Sequence, residues 1–227
     1  MNAASTKKTG PPSDESRPSK GQASRATILL AAAKLATTRG LDGLSIGDLA
    51  AEVGMSKSGL YAHFKSKEEL ELATIETAAA IFDGEVLQPA ARAQAGTERL
   101  GALVDAFLSH LERRVFPGGC FFAAVAAELD TRPGPARDRV VQVLDQWQSL
   151  LRQCIIDAQA SGEIDTQAEV AQAAFEIQAM LLAGNFQFVM TNDPIRLTQA
   201  RKGVAHVLAR LSASEGPKKK RSTRGSP

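Results

Sequence analysis

The sequence predicts an all-α fold, with a small N-terminal three-helix unit followed by a larger helical domain. Three observations predict it. The chain of 227 residues is 44% apolar but only 5% aromatic, and it is rich in alanine, which favours helix over sheet. Apolar residues recur at three- and four-residue spacing along most of the chain, and no stretch alternates convincingly with period two. Glycine and proline fall between the periodic runs. The length fits one large domain, or a small one joined to a larger one, and suffices for a sizeable core.

The elements follow in order. Residues 1–20 are rich in Pro, Ser and Lys, lack apolar periodicity and read as a disordered tail. Ile28, Ala32, Leu35 and Ala36 share one face of a first helix that ends near Gly40. Ile46, Leu49, Ala50 and Val53 mark a second, shorter helix, with Ser45 as its cap, Asp48 three residues on and Gly54 at its end. A third short helix spans about 56–63. Ser66 caps a long fourth helix, with Glu69 in the capping-box position. Further helices are expected at about 97–116, 121–131, 135–161, 167–191 and 194–212. The breaks lie at Pro89 and Gly96, Pro117–Gly119, Pro133–Pro135, Gly162 and Pro194. Residues 212–227 form a second tail, whose run Lys218–Arg221 suits weak nucleic-acid contact or plain solvation.

Composition excludes several classes. Two isolated cysteines, Cys120 and Cys154, make neither a disulfide framework nor a thiolate zinc site. No apolar run reaches membrane-spanning length, and the first 25 residues lack the apolar core of a secretory signal. A reducing, cytoplasmic setting at the nucleoid is expected. Charge is asymmetric. Residues 1–25 and 212–227 carry excess positive charge and 26–67 a slight excess. Residues 68–211 hold 12 basic against 19 acidic side chains. An anionic partner is therefore expected for the first part alone.

The stretch 45–70, SIGDLAAEVGMSKSGLYAHFKSKEEL, joins two short helices through a tight turn. Ala50 lets them approach, Gly54 can take a positive φ, and Leu60 points into the angle between them, with Met55 and Phe64 completing a small core. The outer face of the third helix offers Ser56, Lys57, Ser58 and Gly59, then Tyr61 and His63. Short hydrogen-bonding side chains beside a glycine suit a helix lying in the DNA major groove. Lys65 and Lys67 flank the start of the fourth helix, where free N–H groups also favour phosphate.

This stretch resembles the DNA-binding signature of the TetR (tetracycline-repressor-like) family of bacterial transcriptional regulators. The resemblance covers about residues 24–72, and beyond them only the helical architecture matches. It implies a homodimer whose subunits each carry an N-terminal DNA-binding domain and a larger domain. The latter dimerises through its last two helices and encloses a pocket for a small-molecule effector. The boundaries then read 21–67 for DNA binding and 68–211 for effector binding and dimerisation. Ser45, Lys57, Ser58, Tyr61, His63 and Lys67 match positions that commonly touch DNA. Two departures are that Ser45 stands where threonine is frequent and Gly47 where many members carry a longer side chain.

Several residues of the larger domain are candidates for that pocket: Phe82, Phe107, Phe122, Trp147 and Phe175, with Gln178 and Asn185 among the polar ones. A plain core reading stays open for each aromatic. Val170, Ala174, Ile177 and Leu181 recur at helical spacing, as do Val204, Val207, Leu208 and Leu211. They fit a four-helix dimer seam or an intramolecular face. Cys120 at a helix start reads as an inert buried thiol before a redox sensor. No His/Asp/Glu cluster has metal-ligand spacing, no catalytic motif is present, and no cofactor is expected. The expected function is that of a palindrome-binding repressor released from its operator by an effector. An enzyme using the helical pocket and a protein-binding adaptor are the rivals from other classes.

Overall fold

The computed structural model describes residues 20–212, and the expected tails lie outside the described residues except for Lys20, which opens the first helix, and Ser212. Helix α1 spans Lys20–Arg39, α2 Ile46–Glu52 and α3 Lys57–Tyr61. Helix α4 runs from Lys67 to Phe82 and continues through a π-helical turn, Asp83–Leu87, into a short α5, Gln88–Ala90. Then come α6 (Thr97–Glu112), α7 (Phe121–Leu129), α8 (Pro135–Ala160), α9 (Val170–Thr191) and α10 (Ile195–Leu211). The described residues contain no strand, and their only bridge pairs Ile164 with Ser212. None of their helices is long and apolar enough to cross a membrane.

The short helices of the N-terminal unit are held by their caps. Ser45 accepts the Asp48 N–H at 3.0 Å, Ser56 the Gly59 N–H at 3.1 Å, and Ser66 the Glu69 N–H at 3.1 Å. Each bond satisfies an N–H that the first turn would leave open, worth about 1 kcal/mol per cap. The carboxylate of Glu69 does not return to Ser66 but accepts the Lys65 N–H at 2.9 Å. Gly54 ends α2 at φ +66° with open space around it, so the turn alone demands the glycine. Leu49, Ala50, Leu60 and Phe64 are buried between these helices.

Helix α1 packs on α4 and α7, and α8 packs on both α4 and α9, so one continuous core joins the N-terminal helices to the rest. Pro89 does not break the fourth helix. It stands at the start of α5, directly after the π turn, within one continuous helical run. The π turn before it had no signal in the periodicity.

Helices α9 and α10 lie close. A methyl on Gly184 would stand 2.6 Å from the Ala200 Cβ, so only hydrogen fits there. Ala174, Ile177, Leu181, Val204 and Val207 are all buried within the protomer. Val170, Leu208 and Leu211 are half-buried against the same core. For Ala174, Ile177, Leu181, Val204 and Val207 the spacing reports packing within the chain, so these five are not free to meet a second subunit, while Val170, Leu208 and Leu211 stay partly exposed. What α9 leaves outward is Phe175, Leu182, Phe186 and Met190, one apolar stripe; Phe186 is 65% exposed.

Candidate nucleic-acid interface and effector pocket

Helix α3 is only five residues long, shorter than the expected 56–63, because the Ala62 and His63 N–H groups already close a turn. Only Leu60 of this helix is buried. Ser56, Lys57, Ser58 and Tyr61 are exposed, the Tyr61 ring at 61%, and Gly59 is half-buried. The Ser56 and Ser58 hydroxyls lie 3.1 Å apart. The Lys57 chain crosses Gly47: a methyl there would meet its Cε at 3.1 Å and the Ser45 Oγ at 3.6 Å. The glycine therefore makes room for Lys57 and brings it beside Ser45. This gives a physical reason for the departure at position 47.

His63 is half-buried, and its carbonyl accepts a long 3.4 Å bond from Arg25 Nη1. Arg25 also stacks 4.5 Å above the Phe64 ring and pairs with Glu69 at 3.3 Å. It thus pins α1 to the junction between α3 and α4, a role with no sequence signal. Lys65 is exposed.

Lys67 also bonds within the chain. Its ammonium bonds the Asp42 carbonyl at 2.9 Å and the Asp42 carboxylate, with Glu71 3.6 Å away. The hydrogen bond to Asp42 raises the lysine's pKa, and the bonds from Lys67 and then Arg132 hold the Asp42 carboxyl below its ordinary value. Lys67 thus enters a polar joint within the chain while its side chain stays exposed.

That joint extends to α7. The Glu128 carboxylate accepts the Leu41 N–H at 2.7 Å and the Asp42 N–H at 2.8 Å, while Arg132 reaches Asp42 at 2.9 Å. The other end of α7 is tied as well. The Gly118 N–H donates to Thr37 Oγ1 of α1 at 3.0 Å, and the Cys120 N–H to Asn185 Oδ1 of α9 at 2.9 Å. Asn185, expected in the pocket, is buried with its amide oxygen bound to this backbone.

Between those ties lies a small cavity of about 40 Å³. Phe82, Phe107, Phe122, Trp147 and Gln178 line it as expected, with Cys120, Ala123, Val143, Leu144, Leu181 and Leu182. Phe175 is not there but lies on the outer stripe of α9, 63% exposed, because one residue's step along a helix turns a side chain by about 100°. Burial raises the Cys120 thiol's pKa, so it stays protonated, as an inert thiol would. The described residues hold no cluster of His, Cys, Asp and Glu able to bind a metal ion.

Two family models match the chain. One, described as bacterial regulatory proteins of the tetR family, matches residues 28–74, and the tetracyclin repressor-like C-terminal domain matches 96–204. A TetR transcriptional regulator from Chloroflexus aurantiacus is 29% identical, with a TM-score of 0.79 over 85% of this chain and 98% of that one. The HTH-type transcriptional activator FasR of Mycolicibacterium smegmatis is 33% identical over 39% of this chain and 40% of its own length. The HTH-type transcriptional repressor DhaR of a Mycobacterium species is 25% identical over 56% of this chain and 62% of its own. The chain therefore matches less than two thirds of either curated relative.

Proposed function

The chain belongs to the TetR family of bacterial regulators, and from that premise we propose that it is a dimeric, effector-controlled transcriptional repressor. The observation that carries this reading is the exposed edge of α3. Ser56, Lys57, Ser58 and Tyr61 stand clear of solvent-excluded packing, on a helix fixed by Leu60 and its N-cap. Residues 21–67 then form the DNA-reading unit and 68–211 the effector and dimer unit. Such a target places the protein in the cytoplasm with the nucleoid.

In this reading Lys57 and Ser58 read base edges, while Ser45, Tyr61, His63 and Lys65 meet phosphate. Two subunits present their α3 helices to successive major grooves about 34–36 Å apart. Lys57→Ala should relax preference at one base position by about 1–3 kcal/mol. Lys65→Ala should weaken all sequences alike and lower the salt slope by about one unit. Titrating the protein with its own upstream DNA across a salt series, scored by fluorescence anisotropy, decides the matter. Indifference to every duplex at low salt would sink the reading.

Dimerisation is assigned to the outward stripe of α9. Phe186→Asp should raise the dimer dissociation constant about thirtyfold or more, the roughly 2 kcal/mol of a buried aromatic anchor. The melting temperature extrapolated to the monomer should barely change, since the ring is exposed within the protomer. Sedimentation velocity reads this directly, and an undisturbed dimer would remove the stripe from the interface.

The coupling runs along α4 and α7. Phe82, at the end of α4, and Phe122, in the first turn of α7, both line the cavity. The far end of α4 carries Lys67, and α7 holds the loop after α1 through Glu128. An effector that shifts either helix moves the reading heads, and effector and DNA must weaken each other by the same factor.

A further inference from the structure

The aromatic residues around the cavity are arranged about one ring. Phe82 meets Phe107, Phe122 and Trp147 edge-on, at centroid distances of 6.3, 6.1 and 5.6 Å. Phe107 and Trp147 stack at 6.1 Å. The space they leave, about 40 Å³, holds little more than one water molecule. Across the Phe82–Trp147 contact lies a second cavity of about 380 Å³ between α4 and α8. Phe82, Val143 and Trp147 belong to both walls. A rotation of Phe82 or Trp147 would join the two into a space of the roughly 300–1,000 Å³ usual for small-molecule sites. Phe82 is also the residue from which the π turn departs, the least regular point of α4.

The chemistry of the lining selects the occupant. No charged side chain lines the inner chamber. The residues in its lining that carry polar side-chain groups are Gln178 with its amide, Cys120 with its protonated thiol and Trp147 with its indole N–H. Gln178 Oε1 accepts a hydrogen bond from Gln148 Nε2, which fixes the amide and turns its own NH₂ to a ligand. Neither cavity has a cation in its lining, and the only charges on the outer wall are Glu76 and Asp83. An anion therefore finds no counter-charge in either lining, with the Asp83 carboxylate at the mouth. A cation gains nothing decisive from the rim, because Arg139 already holds Glu76 with two bonds and Gln88 already donates to Asp83. Bringing either charge past the rings leaves it buried and unpaired, which costs several kcal/mol.

Resting on the effector-pocket reading, we propose that the ligand is an uncharged molecule of one or two rings with a single hydrogen-bonding group. It replaces the Phe82–Trp147 contact and sets its polar group against Gln178.

Trp147 is the only tryptophan of the chain, so its emission reports this site in the full-length protein. Four matched probes suffice: para-tert-butylphenol, para-tert-butylbenzoate, para-tert-butylbenzylammonium and tert-butylbenzene. The phenol is expected to shift Trp147 emission and raise the melting temperature, and to bind at least tenfold more tightly than either ion. Gln178→Leu should erase the preference for the phenol over the hydrocarbon. A benzoate or benzylammonium that binds as well as the phenol overturns the proposal. So does a preference that survives Gln178→Leu, or silence from all four probes. Ala123→Phe, which fills the chamber, should abolish phenol binding; if phenol binding survives it in a protein of unchanged melting profile, the ligand sits elsewhere and the proposal falls. A probe that binds at Trp147 but leaves the DNA complex intact tells against control by this site while leaving the ligand class in place.

Discussion

Replacing Gly118 by alanine should destabilise the protein by about 3 kcal/mol and weaken DNA binding with it. The added methyl would stand 1.9 Å from the Thr37 carbonyl oxygen and 2.5 Å from its carbon. Both are backbone atoms of α1, so no rotamer change relieves the overlap. Overpacking of this kind costs about 1–3 kcal/mol, and losing the Gly118–Thr37 hydrogen bond adds about 1 kcal/mol. Two companions separate the causes. Thr37→Val keeps the shape and removes only the hydroxyl, so it should cost about 1 kcal/mol and leave α1 in place. At Gly101, inside α6, an added methyl meets nothing within 4 Å. Gly101→Ala should therefore gain about 0.5–1 kcal/mol. Urea unfolding gives the energies and anisotropy the DNA affinity. An unfolding midpoint for Gly118→Ala equal to the parent's would mean that α1 and the α6–α7 loop are not held in contact.

His110 should make the fold acid-sensitive. Its side chain is 1% exposed, both ring nitrogens lack partners, and its neighbours include Phe82 and Phe116 edge-on. Burial lowers its pKa from 6.5 to about 4, against a raising influence from Glu85 and a lowering one from Arg113. Between those two values the unfolded chain binds the extra proton. Stability is therefore complete above pH 6.5 and falls as pH drops toward 4. The full loss is roughly 3 kcal/mol, at about 1.4 kcal/mol per unit. His110→Phe removes the titrating group and two unsatisfied nitrogens, so its stability should stay nearly flat across that window and match or exceed the parent's at neutral pH. Urea midpoints measured for both proteins across the range test this, and parallel losses would show that His110 is not the titrating group.

What could be read from the sequence was what is local. The three serine caps, the turn at Gly54 and the inward Leu60 each depend on neighbours within four residues, and each stands where the spacing placed it. Five of the seven pocket candidates line one cavity because bulky aromatics on helices that meet must share their interior. Long-range pairing was not legible. Lys67 finds Asp42 and Glu128 finds the Leu41 and Asp42 amides across 25 and more positions, and no periodicity encodes such charge pairs. Helix α9 hid its outer face for a different reason. It is apolar nearly all round, so Ala174, Ile177 and Leu181 gave the same signal as Phe175, Leu182 and Phe186 on the opposite side of the helix. Only packing tells which set the chain covers itself.

The fastening of α7 at both ends has a genetic consequence. Thr37 and Glu128 are absent from the cavity lining and from the outer edge of α3, yet each anchors one end of the same short rod to the α1 region. If the chain is the effector-controlled repressor proposed above, alleles altered at these two positions should keep an intact inducer affinity and an intact operator affinity while losing the conversation between them. A selection for uninducible strains should therefore recover mutations in this remote pair as well as in the effector pocket.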